Sequence, residues 1–194
     1  MSTIYEDTRQ QAGKHKVKHD WFAEHGVTLE RKHLKTGDYM REGSNVTVDT
    51  KASVDEVAAN VSTQHKRFKN ECERAQADGL RLVVLVENMQ GFKEIRDLYR
   101  WTNTHCATCH VRRSASCNPR GAGKCPRHHK HKPMQGDRLA AAMLTMERKY
   151  GVRFEFCKPK DSARRICELL GVEYEQDAAS SEEPSRAGVS HAAD

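Results

Sequence analysis

Asp49 and Lys51 stand two residues apart in the run Val46-Thr47-Val48-Asp49-Thr50-Lys51. Alternate residues of an extended strand share a face. A carboxylate and an ammonium therefore point one way, and Val46, Val48 and Thr50 point the other. Just upstream, Gly37-Asp38-Tyr39 offers a second carboxylate. Carboxylate oxygens suit a hard divalent cation, Mg²⁺ or Mn²⁺. An ammonium beside them would orient a water or offset charge developing on a phosphate. Together these groups are the equipment for metal-assisted phosphodiester hydrolysis. A three-residue pattern alone is weak, so its weight rests on the elements around it.

Those elements are readable. Ile4 to Asp7 reads as a short strand and Ala12 to His25 as a basic helix stopped at Gly26. Val27 to Leu34 reads as a strand expected to form a hairpin with Val46 to Lys51 across the turn at Arg41 to Asn45, which would bring Asp38 to Asp49. Ser53-Val54-Asp55-Glu56 is a capping-box signature. The apolar positions Val54, Val57, Ala58, Val61, Phe68, Cys72 and Ala75 predict one long helix from there to Gly79. Leu82 to Val86 is a continuous apolar strand of the doubly buried kind. Strand, helix and buried strand in that order imply a βαβ crossover within an α/β fold. A helical piece at Ile95 to Trp101, a helix using Leu139, Met143, Met146 and Tyr150, a strand Val152 to Cys157 and a helix Asp161 to Leu170 complete the pattern.

Charge narrows the class of partner. The 194 residues carry a formal net charge of +6. Residues 173–194 hold six acidic side chains and one basic, a net of −5, so residues 1–172 carry +11. A body that basic favours a polyanion, with DNA first. The Ala-, Ser- and Glu-rich stretch 173–194 is expected to be a disordered acidic tail. No run of 18 apolar residues exists, so no membrane helix is expected. The opening Met-Ser-Thr-Ile-Tyr-Glu-Asp lacks a signal-peptide layout, and a reducing cytoplasmic setting is expected.

Residues 102–133 break the pattern as an inserted loop. His105 to Lys132 holds seven basic residues, no acidic ones, five histidines and four cysteines. Cys106-x2-Cys109, Cys117 and Cys125 have spacings that suit a structural Zn²⁺ site, with His110 the leading substitute ligand. Arg112, Arg113 and Lys124 belong to an unopposed basic surface that would grip a phosphate backbone. Cys72, Cys157 and Cys167 fall on apolar stripes or a strand and read as plain core residues.

Gly37-Asp38, a spacer, Asp49-Thr50-Lys51, three residues and Asp55 together resemble the nuclease motif of the XPF-type structure-specific endonucleases, within the PD-(D/E)xK superfamily. Asp7-Thr8-Arg9-Gln10 is similar to that family's opening motif. The resemblance spans residues 2–101 and resumes at 134–171, making 1–172 one nuclease domain. It implies a restriction-endonuclease-like mixed sheet flanked by helices. It also implies a metal-dependent DNA endonuclease of repair, recombination or phage DNA processing. By position, Asp38 and Asp49 become metal ligands, Lys51 the catalytic lysine, and Asp7, Arg9 and Asp55 supports of the site. Asp49, Thr50 and Gln10 replace the family's Glu, Arg and Glu. The runner-up reading, a non-catalytic nucleic-acid-binding module on a decayed nuclease fold, rests on the last two changes. His65, Lys66 and Arg67 either reach phosphates or form a solvated helix face. The family also admits a homodimer, although no helix-hairpin-helix pattern follows residue 171.

Overall fold

The computed structural model describes residues 3–11, 13–113, 117–121, 123–127 and 132–176. Its centre is a six-stranded mixed sheet. The strands are β1 (Thr3–Asp7), β2 (Thr28–Lys32), β3 (Tyr39–Arg41), β4 (Val46–Lys51), β5 (Arg81–Glu87) and β6 (Arg153–Cys157), in the order β2-β1-β3-β4-β5-β6. β1 runs parallel to β2 and antiparallel to β3, and β3 is antiparallel to β4. β4, β5 and β6 are mutually parallel neighbours. The helices are α1 (Lys16–Glu24), α2 (Val54–Asn60), α3 (His65–Ala77), α4 (Thr104–Ala107), α5 (Gly136–Tyr150) and α6 (Ser162–Leu170). This is the α/β sheet-and-helix architecture expected from the sequence.

Strand alternation sorts the core into two layers. Val46 and Val48 of β4 and Val83 and Leu85 of β5 pack with Phe22 of α1 and with Ile166 and Leu170 of α6. Val84 and Val86 pack on the opposite side with Val57, Phe68, Cys72, Leu139 and Met143, from α2, α3 and α5. At roughly 1.5–3 kcal/mol for each large side chain buried, this double cover is the main force holding β4 and β5 in place. Gly136 lets α5 close on the segment before the insertion. A Cβ there would sit 1.7 Å from the Leu98 carbonyl oxygen, so no other residue fits without backbone movement.

Two expectations change. The hairpin partner of β4 is the three-residue β3, and the 28–32 strand pairs instead with β1 at the sheet edge. The long helix is two, α2 and α3, divided at residues 61–64. Around the break Asn60 Nδ2 donates to the Glu56 carbonyl, Ser62 Oγ to the Ala58 carbonyl and Thr63 Oγ1 to the Ala59 carbonyl. Such back-bonding by short polar side chains competes with the helical ladder and favours termination. The crossover itself stands, because both helices lie between parallel β4 and β5. Within the expected tail, Tyr174 packs on Trp21 with ring centres 5.2 Å apart, and Glu175 N donates to the His25 carbonyl. Residues 177–194 lie outside the described residues.

Candidate nuclease site

The site is a consequence of register. β3 and β4 are antiparallel, so the start of β3 lies beside the end of β4, with Tyr39 opposite Val48. Asp38 therefore arrives at Asp49 and Thr50. β1 is antiparallel to β3, which delivers Asp7, and the Asp7 amide donates to the Asp38 carbonyl at 2.8 Å. β5 is parallel to β4 with Val86 opposite Lys51, so Glu87 ends at the same edge. Asp7, Arg9, Asp38, Asp49, Lys51 and Glu87 all line one cleft of about 680 Å³.

Ser53 opens α2 as expected, its hydroxyl accepting from the Glu56 amide at 3.2 Å, and Glu56 Oε2 accepts from the Ala52 amide. That cap fixes the chain immediately after Lys51. The Lys51 ammonium lies 2.6 Å from Asp49 Oδ2 and 4.0 Å from Glu56 Oε1. Asp38 Oδ2 accepts from both the amide and the hydroxyl of Thr50, at 2.8 and 2.7 Å. The position where the resembled motif carries an arginine thus serves to orient Asp38. Asp7 and Arg9 brace the loop before β3: Arg9 Nε meets Asp7 Oδ2 at 2.5 Å, Arg9 Nη2 donates to the Leu34 carbonyl, and Asp7 Oδ1 accepts from the Leu34 amide.

Gly37 completes the turn. Its φ of +75° is left-handed, and a Cβ would fall 2.2 Å from Thr47 Oγ1, a buried hydroxyl already donating to the Thr36 carbonyl. Gly37→Ala should therefore lower stability by more than the ~1–2 kcal/mol of left-handed strain alone. It should also displace Asp38. Thermal unfolding reads the first effect, and an unchanged melting temperature would remove this account of the turn.

Burial raises the Asp49 carboxyl above the usual range. Lys51 opposes that rise, while Asp38 and Glu71 add to it. Burial would lower the Lys51 ammonium, but Asp49, Asp38 and Glu56 outweigh it and the net shift is upward. Asp49 Oδ2 is buried with the Lys51 ammonium as its one polar neighbour among the described residues, so a buried carboxylate oxygen keeps unused coordinating capacity. A divalent cation fits this edge: two carboxylates with hard oxygens, one incompletely satisfied, are beside an ammonium that offsets charge in its place. Among the described residues no three His, Cys, Asp or Glu side chains form a ready-made cage. Mg²⁺ does not require one, because it usually takes one or two carboxylates and completes its shell with waters and substrate phosphates.

Asp55 does not join the cleft. Its carboxylate turns to α4, accepting from the Thr104 amide at 2.9 Å and the Thr104 hydroxyl at 2.5 Å. The aspartate closing the resembled motif thus seats the start of the insertion. Lys66 and Arg67 are exposed at the start of α3 and Arg67 reaches the cleft, whereas His65 is exposed outside it. Arg112 and Arg113 close a 3-10 turn, His110–Arg113, and Lys124 is exposed. Cys72 and Cys167 are core residues, and Cys157 is half-buried.

The packing brings in residues the motif did not name. Glu71 of α3 accepts from the Gly37 amide at 3.4 Å and acts on Asp49. Its place three residues after Phe68, at the edge of the buried stripe, was the available signal. Lys18 of α1 pairs with Glu87 at 2.5 Å, both largely buried, and Ser162 Oγ donates to the same Glu87 oxygen. His15 lines the same cleft and contacts Gln10 at 2.6 Å.

In the insertion, Cys106 and Cys125 are buried. Gln135 Nε2 donates to Cys106 Sγ at 3.3 Å. Burial raises the Cys106 thiol, Gln135 lowers it, and Cys125, Cys117 and Cys109 raise it further.

The ERCC4 domain model matches residues 7–169. XPF from Aeropyrum pernix is similar at 19% identity and a TM-score of 0.49, the match covering 99% of this chain and 67% of that one. No curated protein matches the chain. With the family model spanning most of its length, the chain belongs to the ERCC4 domain family, the family of the XPF-type nuclease domain.

Proposed function

We propose that this protein is a divalent-metal-dependent endodeoxyribonuclease acting on structured DNA in repair, recombination or phage DNA processing, in the cytoplasm. The observation that carries this reading is the convergence of Asp38, Asp49 and Lys51 at one sheet edge inside a cleft of an ERCC4 domain. Asp38 and Asp49 would hold Mg²⁺ or Mn²⁺. Bound there, the cation supplies Lewis acidity toward a phosphoryl oxygen and a more acidic water. Thr50 fixes Asp38, Asp7 and Arg9 hold its loop, and Lys51 offers its ammonium to the negative charge that grows during displacement. Arg67 at the cleft, with the cations of the insertion, would bind DNA backbone. The intact acidic and basic set weighs against a decayed, merely binding fold.

The direct test is purified protein with labelled duplex, single-stranded, flap and junction DNA, with and without Mg²⁺. Metal-dependent internal cleavage of at least one form is expected. No cleavage of any form with Mg²⁺ or Mn²⁺ would favour the binding-module reading. Light scattering on the same sample tests the expected homodimer.

Zinc in the insertion is the second part of the proposal. Among the described residues of the insertion, Cys106 and Cys125 supply most of the burial, which leaves that part short of apolar cohesion. The Gln135 contact is the kind of outer-shell donor that orients a metal-bound thiolate. Binding would draw Cys109 and Cys117 in toward Cys106 and Cys125. Elemental analysis should find about one Zn²⁺ per chain, with Cys106→Ser or Cys125→Ser releasing it and opening the segment to proteolysis. A metal-free protein with an equally protected segment would overturn this assignment.

A further inference from the structure

His15 reaches the cleft from a different element than Asp38 and Asp49. It stands immediately before α1, and its carbonyl accepts from the Lys18 and His19 amides at 2.9 and 3.0 Å. Phe22 in the core and the buried Lys18–Glu87 pair seat that helix, so the ring has a fixed base. His15 Nε2 donates to Gln10 Oε1 at 2.6 Å. An amide oxygen can only accept, so the ring proton sits on Nε2. Nδ1 has no hydrogen-bond partner among the described residues. Gln10 is itself held, its amide donating to the Asp7 carbonyl and its carbonyl accepting from Arg31 Nη2. This is the position where the resembled motif carries a glutamate. A glutamate touching the ring would favour the imidazolium, whereas the neutral amide fixes the ring without doing so. Burial, and then Lys18, lower the His15 pKa below its ordinary value, against Glu6, Asp38 and Glu87, which raise it. Lys14, beside it at the cleft, is a further cation. The net direction favours the neutral ring.

Building on the nuclease reading, we propose that His15 is the general base of the reaction, its Nδ1 taking a proton from the water that attacks phosphorus, with Gln10 as the positioning residue that fixes the ring. The other groups of the cleft leave this role open. Lys51 stays an ammonium and has no lone pair to offer. Asp38 and Asp49 are required by the cation. The remaining carboxylates are engaged: Asp7 by Arg9, Glu56 by the Ala52 amide, Glu71 by the Gly37 amide, and Glu87 by Lys18 and Ser162. A neutral imidazole is also a stronger base than a carboxylate of ordinary pKa. As the proton moves to Nδ1, the water oxygen forms its bond to phosphorus, and the bond from phosphorus to the leaving sugar oxygen breaks. That oxygen takes a proton from solvent. The imidazolium then returns its own proton to solvent, which restores the neutral ring.

The test is the pH dependence of single-turnover cleavage at saturating DNA and Mg²⁺, where the Asp49 proton has already been displaced. The wild-type rate should fall on acidification through one ionisation below the ordinary histidine value of 6.5. His15→Asn should lower the plateau by about 10²–10⁴-fold and remove that ionisation, with DNA affinity in EDTA unchanged. In His15→Gly, added imidazole should restore part of the rate, which a packing role would not allow. Gln10→Glu should move the ionisation to higher pH. Circular dichroism checks that the variants fold. A second readout needs neither metal nor DNA: side-chain nitrogen NMR of the wild type, with His15→Asn identifying the resonance. It should show a ring protonated on Nε2 at neutral pH, and Gln10→Glu should raise its titration point. Wild-type rates and an unchanged acidic limb in His15→Asn, or an imidazolium at neutral pH in the NMR spectrum, overturn the base while leaving the nuclease reading in place. Wild-type protein that cleaves no DNA overturns both.

Discussion

Asp49→Asn should reduce DNA cleavage by about 10²–10³-fold or more, while metal-free DNA affinity holds or rises. The substitution keeps the shape of the side chain and removes the charge that a cation would require. It adds no negative charge to a cleft that must receive phosphates, which is why binding should not weaken. Lys51→Ala should lose activity on a similar scale, with a different signature. Its loss leaves Asp49 buried beside Asp38 and Glu71 without the ammonium that favours its ionised form. Asp49 then holds its proton more firmly, and metal titrations should shift to higher concentration instead of vanishing. Kinetics with saturating DNA and a metal titration separate the two variants. Wild-type rates in Asp49→Asn would place the chemistry elsewhere in the cleft.

The contrast between these variants rests on strand geometry that local sequence specifies well. A period of two with β-branched residues on one face sends Val46 and Val48 into the core with α1 and α6, so Asp49 and Lys51 must face the other way. The cap at Ser53, the buried strand around Val84 and the helix through Leu139 and Met143 were legible for the same reason. Each is a local pattern read against a fixed helical or strand period. Pairing was less legible. Tyr39–Arg41 is too short to show alternation, yet it, and not the 28–32 strand, is the neighbour of β4. The break between α2 and α3 was obscured because the apolar stripe continues through Val61 to Phe68 and masks the polar cluster between them.

The same division holds inside the cleft. Asp38, Asp49 and Lys51 are near one another in sequence and part of a motif, so their grouping could be expected. Glu71 of α3, Lys18 of α1 and His15 just before α1 meet the cleft only through packing of those helices on the sheet, and Glu87 arrives through the pairing of β5 with β4. The place of Glu71 three residues after Phe68 puts it at the edge of the buried stripe, but spacing along one helix does not say that its carboxylate will face Gly37. Asp55 shows the converse. Its motif position suggested the site, but where α2 begins its carboxylate finds the N-terminus of α4, whose exposed amides favour an anionic cap. The acidic motif thus splits into a part that lines the cleft and a part, at the start of α2, that ties down the beginning of the insertion.

The raised Asp49 carboxyl predicts how pH and metal act together on stability. A group whose folded pKa exceeds its unfolded value contributes stability that is full below the unfolded pKa and is lost as pH rises through the folded one. Metal-free protein should therefore lose stability from this source as pH climbs from the ordinary carboxylate range toward 8. A cation held by Asp49 and Asp38 requires the ionised carboxylate, so its binding expels that proton and its affinity increases with pH, by up to about tenfold per unit. The Mg²⁺-induced rise in melting temperature should accordingly be small at pH 6 and larger at pH 8.5. In Asp49→Asn both the rise and its pH dependence should disappear, because no proton remains at that position to exchange for metal. The reading is binding-linked stability and not turnover, so the outcome does not depend on finding the right DNA. A Mg²⁺ shift that is the same at both pH values, or one that survives in Asp49→Asn, would mean that the cation binds away from the buried end of β4.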